Sequence, residues 1–232
     1  MERGRSRKAR SGCLGRIFGF VLFLIVAAVG VIAAVKYMPS RERADLDALY
    51  AAGGSDRVAL YLNYERQEES GVYVDGQTYL PAAWVDANLN ERFYWDPNES
   101  VMLYTLPNGN VSVTVGSKEY TEVTEKKSED FIILKTEGRT AYIALPFIQQ
   151  YTNLDYSVYK NPDRVVVTSD WGKIQTSVLK RDTEVRYQGG VKSPILTDVK
   201  KADKVTVLED EDDWKKVATA DGFIGYVKTN AL

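Results

Sequence analysis

No histidine occurs anywhere in the 232 residues, and the only cysteine is Cys13. The first absence excludes a Ser-His-Asp triad, a Cys-His pair and any histidine-ligated zinc or copper site within the chain. The second excludes an intrachain disulfide, so folding beyond Cys13 does not depend on oxidation. Carboxylate chemistry and oxygen-ligated metals remain as the catalytic options. A surplus of positive charge is missing too, with 30 basic against 32 acidic residues. Setting aside the six basic residues and one acidic residue of positions 1–35 leaves 24 against 31, a net of about −7. Such a body does not grip polyanions nonspecifically, which argues against nucleic acid as a partner.

What the chain does have is one long apolar run. Residues 17–35, IFGFVLFLIVAAVGVIAAV, contain no charge, amide or proline. As an α-helix they span roughly 28 Å, about the hydrocarbon thickness of a bilayer. A helix pairs its own backbone amides, as lipid requires. A cleaved signal peptide is the main rival, since Ala33 and Ala34 are small. Its apolar region is usually about 7–15 residues, however, and no clear small-x-small site precedes Lys36. The reading is therefore a retained single-pass anchor. Arg3, Arg5, Arg7, Lys8, Arg10 and Arg16 precede it against the single acid Glu2. That bias places a cytoplasmic tail at residues 1–16 and everything after the anchor on the extracytoplasmic side of the cell membrane. Cys13 reads as a free juxtamembrane thiol, with acylation the lesser alternative.

Residues 36–55 read as a juxtamembrane stalk with a short helix, ended by Gly53-Gly54-Ser55. The pattern then turns to β-type runs. Val58–Leu62 and Val72–Val74 come first, the latter before the hairpin dipeptide Asp75-Gly76. Val101–Thr105, Val111–Val115, Phe131–Leu134 and Val165–Thr168 follow. Ala82–Asn88 and Leu145–Tyr151 read as short helices. The fold class is α+β, dominated by strands.

An internal repeat spaces these elements. Gly76-Gln77-Thr78-Tyr79-Leu80-Pro81, Trp84-Val85, Phe93, Trp95 and Val101-Met102-Leu103 are echoed some 63 residues on. The echo is Gly138-Arg139-Thr140-Ala141-Tyr142-Ile143, Phe147-Ile148, Tyr156 and Val165-Val166-Val167. Both copies belong to one domain, residues 56–169, in which each unit buries one apolar face. The spaced aromatic, glycine and asparagine positions of this stretch resemble the N-terminal domain of copper amine oxidases, a module widespread on Gram-positive surfaces. The resemblance implies the non-catalytic module alone. The enzyme needs histidine ligands, and its quinone-forming Asn-Tyr-Asp/Glu motif is absent, for Asn153-Leu154-Asp155-Tyr156 has the wrong order.

From residue 174 to 232 short strands crowd together: 177–179, 183–186, 204–208, 214–218 and 222–227. Five strands in some sixty residues suggest a small barrel. Val185-Arg186, Ser193-Pro194-Ile195-Leu196, Lys200-Lys201-Ala202-Asp203-Lys204, Trp214-Lys215-Lys216-Val217 and Gly222-Phe223-Ile224-Gly225-Tyr226-Val227 resemble a bacterial SH3-like (SH3b) domain. Ala202 stands where that family usually places a glycine.

The SH3-like resemblance implies a groove lined by aromatic side chains for wall peptides or other extracellular ligands. Tyr187, Trp214 and Tyr226 occupy the motif positions, and core packing is the competing role for each. Phe223 and Ile224, and the repeat residues Trp84, Tyr94 and Trp95, read as core. The acidic run Glu209–Asp213 lacks the spaced ligands of a calcium loop and reads as a solvated turn. Glu65, Glu68, Glu69 and the stretch Glu125–Asp130 likewise read as solvated loops. No carboxylate pair stands out as a glycosidase acid and nucleophile. No catalytic residue, metal ligand or cofactor is therefore assigned.

The order of anchor, amine-oxidase-like module and SH3-like module resembles the N-terminal half of Firmicutes wall proteins in which a family 18 glycoside hydrolase domain follows. The acidic hydrolase motif is absent, so a hydrolase beyond the second module, or a protein with only the targeting half, is the expectation. Three functions stay open at this point. They are a non-catalytic region binding peptidoglycan or another wall glycan or peptide, a structural stalk or partner-docking module, and a carboxylate-only glycosidase.

Overall fold

The computed structural model describes residues 12–172, 174–210 and 213–232, with side chains from Phe18 onward. The basic tail, the Cys13 thiol, Lys173, Glu211 and Asp212 lie outside these. The apolar run forms α1 (Gly12–Tyr37), and its stretch Phe18–Tyr37 is long and apolar enough to cross a membrane, with none of it buried against the rest of the protein. The helix contains the whole apolar run 17–35 and continues two residues past it, through Lys36 and Tyr37.

Past Tyr37 the chain does not stand free as a stalk. Residues 40–44 lie beside Ile195: Ser40 N–H donates to the Val191 carbonyl (2.7 Å), Ala44 N–H to Ile195 (2.9 Å), and Ile195 N–H to Glu42 (2.8 Å). Arg43 pairs with Asp198. The short helix α2 (Leu46–Leu49) follows, capped by Asp45, whose carboxylate accepts from Ala48 N–H at 3.0 Å.

The first module begins with β1 (Arg57–Leu62), β2 (Glu65–Val74) and β3 (Gln77–Pro81). Asp75 and Gly76 both hold positive φ, 52° and 80°, between the paired Val74 and Gln77. This is the two-residue turn whose twist suits a hairpin. Asn63 (φ 51°) and Tyr64 (φ 69°) make a second such turn between Leu62 and Glu65. Residues 65–71 are therefore strand and not the solvated loop expected from their charge. Their acidic side chains simply face outward.

From β3 the chain passes into α3 (Ala82–Asn88), β4 (Phe93–Asp96) and β5 (Val101–Leu106). Then come β6 (Gly109–Thr114), β7 (Glu119–Glu122), β8 (Glu125–Ser128), β9 (Leu134–Glu137) and β10 (Thr140–Ala144). Part of the charged 125–130 stretch is thus a strand, and Phe131–Leu134 contributes only its last residue to one. The chain continues through α4 (Leu145–Tyr151), β11 (Asp155–Tyr159) and β12 (Arg164–Thr168). Strand, helix, strand, strand therefore occurs twice. Leu80 pairs with Ile143, its equivalent 63 residues on, where β3 and β10 run antiparallel. Matching residues face one another there, which places a local two-fold between the copies.

Seven strands form one sheet in the order β11-β12-β1-β2-β3-β10-β9, and β4 to β8 form a second sheet in sequence order. One core joins both sheets and the two helices. Each helix buries positions three apart, Ala82 with Val85 and Leu145 with Ile148. A ring chain runs through it: Phe93–Tyr104 (4.7 Å between centroids), Tyr104–Tyr151 (4.8 Å), Tyr151–Phe147 (5.2 Å) and Phe147–Tyr120 (5.2 Å). Asn90 ties the copies, its amide donating to the Tyr151 carbonyl (3.2 Å) and Thr152 Oγ1 (3.1 Å). Trp84 is buried and Trp95 packs against the core, as the repeat implied. Tyr94 is not core: it is 59% exposed, because alternation along β4 points it away from Phe93's face.

The second module comprises β13 (Gln175–Val178), β14 (Thr183–Arg186), β15 (Ile195–Val199), β16 (Lys204–Asp210), β17 (Trp214–Thr219) and β18 (Ile224–Lys228). These form a six-stranded sheet, order β13-β16-β17-β18-β14-β15, around a small core that includes Val185, Leu196, Val217 and Val227. Its edges β13 and β15 do not pair among the described residues, so the sheet is open. Five strands were expected; β15 is the sixth. Gly225 has no room for a side chain, since a Cβ there would sit 2.5 Å from the Arg186 carbonyl oxygen.

Ala202 sits in the β15–β16 turn with φ 73°, and Asp203 N–H closes that turn onto the Lys200 carbonyl at 3.1 Å. A left-handed conformation costs a Cβ-bearing residue about 1–2 kcal/mol. Glycine's extra freedom in the unfolded chain returns part of that. Ala202→Gly is expected to stabilise the protein by about 0.5–1 kcal/mol, read as a higher urea midpoint at unchanged slope. A lower midpoint would contradict it.

The two modules meet at a third cluster built from Tyr50, Ala59, Tyr61 and Val166, with Phe223 and Ile224 packed against it. Phe223 and Ile224, expected in the core of the second module, serve this junction instead. Lys216 Nζ bridges Glu209 (2.7 Å) and Glu65 (2.9 Å) across the same boundary.

Candidate functional site

On β17 and β18, Trp214 faces Lys228 and Lys216 faces Tyr226. Side chains alternate along a strand, so these four share one face, while Val217 and Val227 point to the core side. Trp214 is therefore outside the core of its module. Gly189, in the β14–β15 loop, lies over this face: a Cβ there would be 3.4 Å from the Trp214 Cβ and Cγ and 3.6 Å from Tyr226 Cδ1. Tyr187 is in the same loop, 45% exposed, its N–H donating to the Pro194 carbonyl at 3.0 Å. The fold thus brings the loop of Tyr187 onto Trp214 and Tyr226. Trp214 and Tyr226 are half-buried; Tyr187 is open to solvent.

Trp214 forms a wall of two depressions. One, of about 390 Å³, lies between Trp214, Lys228, Pro39 and the strands β14 and β15. The other, of about 560 Å³, lies between Trp214, Lys228, Val191 and Asn230. Neither Tyr187 nor Tyr226 lines them. Sequence reasoning missed the charged walls. Arg186 is 2% exposed and donates to the Ser193 carbonyl (2.6 Å), the Ser40 carbonyl (3.0 Å) and Glu184 (3.4 Å). Lys200 stands 3.5 Å from Asp182, and Arg181 is bonded to Asn230. The Lys201 N–H bond, and then Lys200, hold the Asp182 carboxyl below its usual range.

These pairings matter chemically. Arg186 and Lys200 stand beside carboxylates, and Arg181 is engaged by the Asn230 amide, so the cations of the groove already have polar partners. Lys228 Nζ lies 6.0 Å from the Trp214 ring centroid. What remains for a ligand is a flat indole face with polar groups around it, an arrangement suited to uncharged sugar rings or peptide backbone.

In the acidic turn, Glu209 pairs with Lys216 and Asp210 with Lys215. No group of three or more Cys, Asp or Glu gathers in a metal-holding arrangement among the described residues, and a copper site has no histidine to draw on. The first module has its own depression of about 420 Å³, lined by Arg57, Tyr79, Lys135, Glu137 and Tyr142. Arg57 there donates to Tyr142 Oη at 2.6 Å and pairs with Glu137. Tyr142 first, and Glu137 with it, raise the Arg57 pKa despite burial.

No curated protein and no solved structure matches the chain. One protein family does: residues 62–168, from the end of β1 to the end of β12, match the copper amine oxidase N-terminal domain.

Proposed function

We propose that this chain is a membrane-anchored, extracytoplasmic binding region, non-catalytic as it stands, that holds peptidoglycan or another wall glycan or peptide at the Trp214 groove of an SH3-like module. The observation that carries this reading is the groove itself: a half-buried indole beside Lys228, among cations of which Arg186 and Lys200 stand by carboxylates and Arg181 is bonded to the Asn230 amide. The amine-oxidase-like module supplies the rigid body to which the groove is fixed, through the junction around Tyr50 and Tyr61. The basic residues before α1 support the outward orientation. A resemblance to the anchored half of family 18 glycoside hydrolase proteins supports a targeting role.

The test is sedimentation with purified peptidoglycan, using residues 40–232, the stretch within which the packed body lies. The fragment is expected to pellet with the wall without releasing reducing sugars. Trp214→Ala is expected to weaken pelleting about tenfold, equivalent to about 1.4 kcal/mol. Pelleting no better than that of a control protein overturns the proposal, as does release of sugar.

A further inference from the structure

We propose that the loop joining β14 to β15, residues 187–194, rests in the headgroup layer of the bilayer that holds α1, so that the Trp214 groove opens at the membrane surface. This rests on the reading of α1 as a retained anchor. The geometry comes from the end of that helix. The uncharged run 17–35 is 19 residues long, about 28 Å of helix, and so fills the hydrocarbon layer from end to end. Its last turn is therefore at the lipid–water boundary, where the headgroups add only about 5–7 Å.

The loop is tied to that turn twice. Lys192 Nζ donates to the Val35 carbonyl at 2.5 Å, two residues inside the helix end. Only three residues beyond Tyr37, Ser40 N–H donates to Val191 at 2.7 Å. Three residues reach at most about 10 Å. The strand-like pairing of residues 40–44 beside β15 then leaves no slack through which the module could swing away.

The side chains at this level are those a bilayer interface takes. Tyr37 is 68% exposed and Tyr187 45% exposed. Trp214 lies beneath Gly189 of the same loop, with Lys36, Lys192 and Lys228 close by in sequence or in contact. Tyrosine and tryptophan partition to the boundary through an apolar body and a polar edge, and lysine extends its ammonium to headgroup phosphates. The partner of this face is therefore the outer leaflet of the anchor's own membrane. Ligands of the groove are those present at that surface.

The full chain, with Cys13→Ser and Gln188→Cys, is labelled with a fluorophore at the exposed position 188 and reconstituted in nanodiscs of phosphatidylglycerol and phosphatidylethanolamine. A fraction of the lipid carries a nitroxide on the headgroup or, in a second sample, near the chain terminus. The headgroup nitroxide is expected to quench the fluorophore by about half and the chain-terminal nitroxide far less. Resistance to carbonate extraction is measured on the same protein in vesicles. A fluorophore left unquenched in carbonate-resistant protein overturns this proposal while the anchor stands. Extraction by carbonate overturns the anchor reading and this proposal with it.

Discussion

Replacing Arg164 with alanine is expected to destabilise the protein by about 3–5 kcal/mol and to separate the unfolding of its two modules. Arg164 opens β12 yet is only 1% exposed. Its Nη1 donates to the Pro162 carbonyl at 2.7 Å, its Nε to Gly222 at 3.1 Å, and its Nη2 to Asp221. The last two acceptors belong to the β17–β18 turn of the second module. Its guanidinium carbon lies 4.3 Å from the Phe223 ring centroid and 5.1 Å from those of Tyr50 and Tyr159. Among the described residues no carboxylate is hydrogen-bonded to it. Burial pulls its pKa down, the nearby tyrosines partly offsetting this.

Alanine there leaves the buried Gly222 carbonyl and the part-buried Asp221 and Pro162 carbonyls without this donor, and a void between three rings. Unpaired buried acceptors cost about 1–3 kcal/mol each, and the lost packing adds to that. Lysine keeps the charge but not the planar fork that serves three acceptors at once, so Arg164→Lys is expected to retain only part of the stability. Urea unfolding followed at a probe in each module should pass from one shared transition to two. Stability of Arg164→Ala within about 0.5 kcal/mol of wild type, with coincident transitions, would show that the junction is held by something else.

Arg164 also marks the boundary of what the sequence makes legible. Local signals were read well where the cause is local. Asp75-Gly76 turns because those residues tolerate positive φ, and the spacing of Ala82–Asn88 and Leu145–Tyr151 yields helices with those bounds. The 63-residue offset was visible because each copy repeats the same buried positions. Long-range causes were not visible. An arginine at the head of Arg164-Val165-Val166-Val167 looks like a surface residue, and two of the carbonyls that accept from it lie 57 and 58 residues away.

The first seven residues of β2, 65–71, were hidden by their charges, since a strand with one wet face gives little hydrophobic alternation. Residues 40–50 looked like a stalk because their partners, Val191, Ile195 and Phe223, are distant in the chain. At the groove, aromatic residue types pointed to Trp214, but the ion-paired walls depend on strand order. β14 lies between β18 and β15, an arrangement that short-range pattern does not contain.

Alkaline titration should expose the same junction from another side. Tyr50 is 4% exposed, with its ring 6.1 Å from Tyr61 and 6.2 Å from Phe223. Burial, and then the neighbouring Tyr61, push its phenol up to about 12, against the opposing pull of Arg164. A folded-state pKa above the unfolded one means that the native protein holds the proton more tightly. The associated stability is full below about pH 10 and is lost as pH rises through about 12. For a shift of this size the loss is about 2–3 kcal/mol from Tyr50 alone. Burial also raises Tyr79, Tyr151 and Tyr156, and Tyr151 is raised further by its bond to Glu122, so every one of these phenols acts in the same direction. Tyr50→Phe removes one of them. At pH 8 it is expected to cost about 0.5–1.5 kcal/mol, because a buried hydroxyl is removed from the packed junction. Between pH 9.5 and 12 the variant should then lose about 2 kcal/mol less than wild type, so the two curves of urea midpoint against pH converge or cross. Parallel curves across that range would mean that the Tyr50 phenol titrates normally, and that the packed junction drawn around Arg164 does not exist in solution.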